Sequence, residues 1–151
     1  MRSLWFVILF FSTSAFSCPN LAGHYKECRP TTGNSSGSYD MVVSQIVQDN
    51  VTIYTVTATD ARTQERVKEV YRTDGSTHVT EYNDPQSGTL LKTTTTAFCL
   101  GNELNIKGEI FIMEESILQY DVKVKKSGNQ LIISSVYRSQ GDEKSDEAIC
   151  E

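Results

Sequence analysis

The feature that most limits what this chain can fold into is the spacing of its turn signals. They are Asp49-Asn50, Asp60-Ala61-Arg62, Asp74-Gly75, Asn83-Asp84-Pro85 through Gly88, Gly101-Asn102, Glu114-Glu115-Ser116, Ser127-Gly128-Asn129 and Gly141-Asp142. Such sequences supply the positive-φ or fixed-φ positions that tight turns need. Most successive signals begin about 11–14 residues apart, room for one strand and its turn but not for a crossover helix. Strands are therefore expected over 21–28, 39–48, 51–59, 65–73, 77–83, 88–99, 102–113, 117–126, 130–138 and 145–150, each antiparallel to the next.

The residues between the turns agree. Thr, Val and Ile far outnumber Ala, Leu and Met beyond the N-terminus, and β-branched side chains pack well on a pleated surface. In 102–113, Leu104, Ile106, Gly108, Ile110 and Ile112 share one face, opposite Glu103, Asn105, Lys107, Glu109 and Phe111. In 117–126, Leu118, Tyr120, Val122 and Val124 oppose Gln119, Asp121, Lys123 and Lys125. This period of two marks strands with one dry face. In 39–48 and 51–59 both faces mix apolar and polar residues, so the inward side of those strands stays open. The long polar gap from Arg29 to Ser38 reads as a loop.

Sequential antiparallel strands in this number form a sheet that curls, and closing it removes exposed edges. The expected fold is all-β, an antiparallel up-and-down β-barrel of about 8–10 strands. A two-sheet sandwich is the rival, although its Greek-key links usually need longer connections.

The N-terminus carries a different signal. Met1 and Arg2 precede an unbroken apolar run, Leu4 to Phe11, and Ala15-Phe16-Ser17 resembles a small-x-small cleavage site. Residues 1–17 are expected to be a signal peptide and residues 18–151 one β-barrel domain, secreted or periplasmic. The run is too short to span a bilayer, and no later run is longer. Cleavage there would expose Cys18, which raises the alternative of a lipid anchor through Cys18. Cys18, Cys28, Cys99 and Cys150 all lie in the exported part. Four cysteines in an exported domain imply two disulfides, with three possible connectivities.

Composition removes several functional classes. The net charge of −5, with Lys and Arg scattered, leaves no footprint for nucleic acid or for an anionic membrane. The Cys spacings match no zinc motif, and with His24 and His78 the only imidazoles no metal or cofactor is expected. Neither His neighbours a Gly-flanked Ser, and there is no phosphate-cradling Gly-rich loop. The chain is expected not to be an enzyme; both His read more simply as surface or packing residues. Asn34-Ser35-Ser36 and Asn50-Val51-Thr52 are glycosylation sequons, relevant only in a eukaryotic source.

The barrel interior is the remaining candidate. In 88–99 Lys92 marks the outward face, which leaves Leu91, Thr93, Thr95, Ala97 and Cys99 inward, mostly small. Gly108 removes another side chain. In 65–73, Arg66, Lys68, Val70 and Arg72 face out, leaving Val67, Glu69 and Tyr71 inward. An inward Glu69 must be hydrogen-bonded, hydrated or near a mouth. Small inward residues leave unfilled volume in a barrel of this size, so the expected ligand-binding set is Tyr25, Glu69, Tyr71, Thr93, Thr95, Tyr120 and Tyr137. The expected ligand is small and hydrophobic or amphipathic. The plainer alternative is that Thr and Tyr fill a small core. A further alternative is a protein-binding module or inhibitor acting through loops such as 29–38.

Size, export signal and strand count resemble those of lipocalin-like (calycin) proteins. Leu21-Ala22-Gly23-His24-Tyr25 is similar to the Gly-x-Trp start of that superfamily, with Tyr25 where Trp is expected. Avidin-like and fatty-acid-binding-protein-like barrels share the same general features. The lipocalin resemblance implies a barrel that takes a small hydrophobic ligand at its open end, with Arg138 packed over the aromatic ring of the first strand. Strand alternation in such a barrel puts Cys99 and Cys150 at one end and predicts that pair, leaving Cys18 to Cys28.

Overall fold

Each stretch between turn signals is a strand, and the described residues form ten. The computed structural model describes residues 17–31, 37–83 and 87–151. Residues 1–16, within the expected signal peptide, residues 32–36 with the Asn34 sequon, and residues 84–86 lie outside the described residues. The strands are β1 (Gly23–Pro30), β2 (Tyr39–Gln48), β3 (Val51–Asp60), β4 (Arg66–Arg72), β5 (Thr77–Asn83), β6 (Leu90–Leu100), β7 (Glu103–Ile112), β8 (Glu115–Ser127), β9 (Gln130–Ser139) and β10 (Asp142–Cys150). No helix occurs among the described residues. All pairings are antiparallel, in the order β4-β3-β2-β1-β10-β9-β8-β7-β6-β5. First and last strands therefore pair, and the sheet curls into a half-barrel.

The ring does not close with hydrogen bonds. β4 and β5 are consecutive in sequence but form the two edges of the sheet. The Asp74-Gly75 signal does make a turn, yet not a paired hairpin. Its backbone donors are used elsewhere: Thr73 N–H donates to Thr52 O at 3.0 Å and Gly75 N–H to Ala97 O at 3.2 Å. The turn thus bridges β3 and β6 and splays the strands it joins. Asp74 holds its shape by accepting from the backbone and hydroxyl of Ser76, which drive its carboxyl down to about 2. Charged side chains such as Arg66 and Lys68 on β4 and Glu81 on β5 blunt both free edges.

Cross-strand register settles which face is dry. Tyr25 pairs with Met41 and Met41 with Ala58; Thr95 pairs with Gly108 and Gly108 with Tyr120. The inward faces expected for 65–73, 88–99, 102–113 and 117–126 all join this surface. The two ambiguous strands contribute Met41 and Val43 from β2 and Tyr54, Val56 and Ala58 from β3.

The interior is divided along its axis. One end is a packed apolar core that includes Leu21, Tyr25, Met41, Tyr54, Leu104 and Leu131. The N-terminal segment before β1 forms its floor. Leu21 is 1% exposed there, and its N–H donates to Gln45 Oε1 at 3.2 Å. Tyr54, wholly buried, donates its hydroxyl to Pro19 O at 2.5 Å. Burial pushes the Tyr54 phenol up to about 12. Tyr54→Phe should cost about 1–2 kcal/mol, because it removes that bond and strands the Pro19 carbonyl. In an alkaline spectroscopic titration the wild type should hold back one phenol that the variant lacks.

The disulfides correct the expected pairing. They are Cys18–Cys99 and Cys28–Cys150. Two effects invalidate the strand-end argument. Barrel strands are staggered, so the end of β1 lies beside the end of β10, with Arg29 opposite Ile149. In addition β1 carries a bulge between Tyr25 and Cys28, with Glu27 at φ 50°. The extra residue re-aims Cys28 from the outer face to the inner one. Cys18 stays at the floor and joins Cys99 on β6. Its sulfur is in a disulfide and so is not available for a lipid anchor, which sets aside that alternative.

Candidate functional site

Beyond the apolar floor the inner wall turns polar, and there the open seam between β4 and β5 admits solvent. A cleft of about 550 Å³ runs along it. From β4 it is lined by Val67, Glu69 and Tyr71, from β5 by His78 and Thr80, from β6 by Thr93 and Thr95, and from β8 by Tyr120. Five of the seven residues expected to contact a ligand, Glu69, Tyr71, Thr93, Thr95 and Tyr120, therefore meet in one place.

The other two do not. Tyr25 is 3% exposed and donates its hydroxyl to Leu21 O at 2.9 Å, so it belongs to the floor core. Tyr137 shares the inner face, opposite Tyr120 and Lys144, but lies outside the cleft lining. It faces Tyr39, whose phenol is raised first by burial and then by Tyr137 and Asp146. Arg138 does not cover Tyr25. It lies on the outer face, held by Asp121 at 2.5 Å and Glu143 at 2.8 Å. The cation over Tyr25 is Lys126, 5.7 Å from the ring centre. Arg138 and Tyr137 are adjacent on β9 and so point to opposite faces.

Geometry inside the cleft follows from the register. Tyr71 donates its hydroxyl to Glu69 Oε2, two residues along the same face. Tyr120 lies across Gly108, and its hydroxyl sits 3.1 Å from Thr95 Oγ1 on β6. A Cβ on Gly108 would come within 2.1 Å of Tyr120 Cζ, so the glycine is the slot through which the ring reaches the cleft wall. His78 Nε2 is 3.1 Å from Ser76 Oγ.

Burial within the cleft wall lifts the Glu69 carboxyl above its ordinary value. A carboxyl raised on folding binds its proton more tightly in the folded state. Its penalty is present above the raised value, shrinks as pH falls through it, and is gone below the unfolded value. Glu69→Gln should therefore stabilise the protein at pH 7 and lose that advantage near pH 4. Solvent reaches Glu69, so the gain should stay under about 1 kcal/mol. Melting curves of both proteins across that range check the sign.

Sequence reasoning missed His78, Thr80 and Val67 as cleft residues. The period of two in 77–83 already put His78, Thr80 and Tyr82 on one face. What it did not reveal is the pairing of His78 with Thr95 and Thr80 with Thr93, which turns that face inward. Among the described residues no group of three or more His, Cys, Asp or Glu could hold a metal ion, and no helix is long and apolar enough to cross a membrane.

The curled sheet has a counterpart among solved structures. It is similar to the crystal structure of secretory abundant heat soluble protein 4 from Ramazzottius varieornatus. The TM-score is 0.50 at 13% sequence identity, over 86% of this chain and 93% of that one. At that identity the likeness is one of fold. No protein-family model and no curated protein sequence matches the chain.

Proposed function

We propose that the half-barrel is an exported, lipocalin-like carrier that holds one small amphipathic molecule in the seam cleft. The observation that carries this reading is the convergence of Glu69, Tyr71, Thr93, Thr95 and Tyr120 on one cleft of about 550 Å³. That volume suits a small molecule, and a wall mixing apolar surface with a few placed polar groups is the usual form of such a site. Val67 points into the cleft while more than half exposed, apolar surface that a bound tail would cover. Export is supported by the basic and apolar N-terminus and by two disulfides, which persist in oxidising compartments. The protein is not an enzyme in this reading, and it needs no cofactor.

Uptake of Nile red, a neutral apolar dye, tests the site. Wild-type protein should bind it with a blue-shifted emission, and Thr93→Trp, which fills the cleft, should not. If the wild type leaves the dye in water, or the Trp variant binds it equally well, the cleft is not the binding site.

A further inference from the structure

The chemistry of the inner wall goes further and selects the charge of the ligand. Counting only side chains that point inward from β4, β5, β6 and β8, the cleft offers the Glu69 carboxylate, the rings of Tyr71 and Tyr120, the His78 imidazole and threonine hydroxyls. No ammonium or guanidinium lies on that face among the lining residues. Lys68 and Arg72 also border the cleft, but they project from the opposite face of β4 and reach it only because β4 is an edge strand. Arg72 is already engaged, its Nε 3.3 Å from Asp74 Oδ2.

Glu69 thus stands against the wall with a phenol, not a cation, as its partner. Tyr71 donates to Oε2, which leaves Oε1 and the remaining lone pairs of the carboxylate for a ligand donor. A carboxylate beside aromatic faces is the combination that attracts an organic cation, through charge-assisted hydrogen bonds and through the ring quadrupoles. A carboxylate headgroup in the same place would meet Glu69 as a like charge.

We propose that the cleft takes an amphipathic amine, its ammonium group against Glu69 and between Tyr71 and Tyr120, its apolar part along Val67 and the seam. This rests on the carrier reading above and adds the sign of the ligand to it. The raised Glu69 carboxyl is in keeping with a negative charge that lacks a resident cation.

Two dansyl probes separate the possibilities: monodansylcadaverine, which carries a primary ammonium, and dansylaminoundecanoic acid, which carries a carboxylate. The ammonium probe should bind at least about tenfold more tightly, and Glu69→Gln should weaken it by about tenfold or more while leaving the carboxylate probe equal or improved. Glu69→Gln keeps the shape of the side chain and an acceptor for Tyr71, so the fold survives the test. Preference for the carboxylate probe, or an unchanged ammonium affinity in Glu69→Gln, would overturn the amine assignment while leaving the carrier reading intact. Failure of both probes together with failure of Nile red would sink the carrier reading itself.

Discussion

Replacing Cys28 and Cys150 together by Ala should be among the most damaging changes available. β1 and β10 are where the ring joins its beginning to its end, yet their ladder is short: Arg29 with Ile149 and Pro30 with Ala148, extended by the reciprocal bonds between Lys26 and Glu151. The disulfide lies beside this join and is wholly buried, both cysteines being 0% exposed. It closes a sequence separation of 122 residues. For a loop that long, loss of denatured-state entropy stabilises by about 4–5 kcal/mol, a large share of the ~5–15 kcal/mol that holds a domain of this kind together. The double variant should lose several kcal/mol in denaturant titration and fold poorly at 37 °C. Cys18 and Cys99 are only partly buried, at the floor. Under mild reductant, alkylation mapped by mass should therefore label Cys18 and Cys99 before Cys28 and Cys150.

The disulfide pairing shows where sequence reading stops. Strand positions were legible because turn residues and side-chain alternation are local. All ten strands begin and end within a few residues of the expected limits, and the inward faces of β4, β6, β7 and β8 were readable from their charged residues alone. Which strand ends come level depends on stagger around the barrel, a sum over every pairing, and no local signal records it. The bulge at Glu27 is equally silent, since a non-glycine residue at positive φ carries no distinctive sequence mark there. Either effect alone would defeat an argument from strand direction, and both act on Cys28.

The open seam belongs with these misses. Asp74-Gly75 is a good hairpin signal, and from sequence it predicts that β4 and β5 pair. What diverts them is the competition for the turn's own donors from Thr52 O on β3 and Ala97 O on β6. Those acceptors are distant in sequence and become neighbours only when the sheet has curled. The candidate site was half legible for the same reason. Glu69, Tyr71, Thr93 and Thr95 could be placed inward by parity, whereas Tyr25 was grouped with them because parity gives a face and not a height. Height along the axis is what separates the floor core from the cleft.

Gly108→Ala should produce the second large effect, and a compensating change should reveal its cause. The added methyl would overlap the Tyr120 ring, with Cζ at 2.1 Å and Oη at 2.2 Å, far inside contact distance. Tyr120 is flanked on β9 by Tyr137, so the ring cannot simply slide along the sheet. It must leave its slot, which breaks the 3.1 Å contact with Thr95 Oγ1 and removes one wall of the cleft. Overpacking of this kind costs about 1–3 kcal/mol. Nile red uptake should fall with it, by about two- to tenfold if the ring contributes the ~0.5–1.5 kcal/mol of an aromatic pair. Tyr120→Ala removes the obstacle, so the Gly108→Ala/Tyr120→Ala double variant should be more stable than the sum of the single changes implies, by an interaction energy of about 1 kcal/mol or more. Additive losses would mean that the glycine serves the strand's own conformation and not the ring, and the account of how Tyr120 reaches the cleft would have to be abandoned.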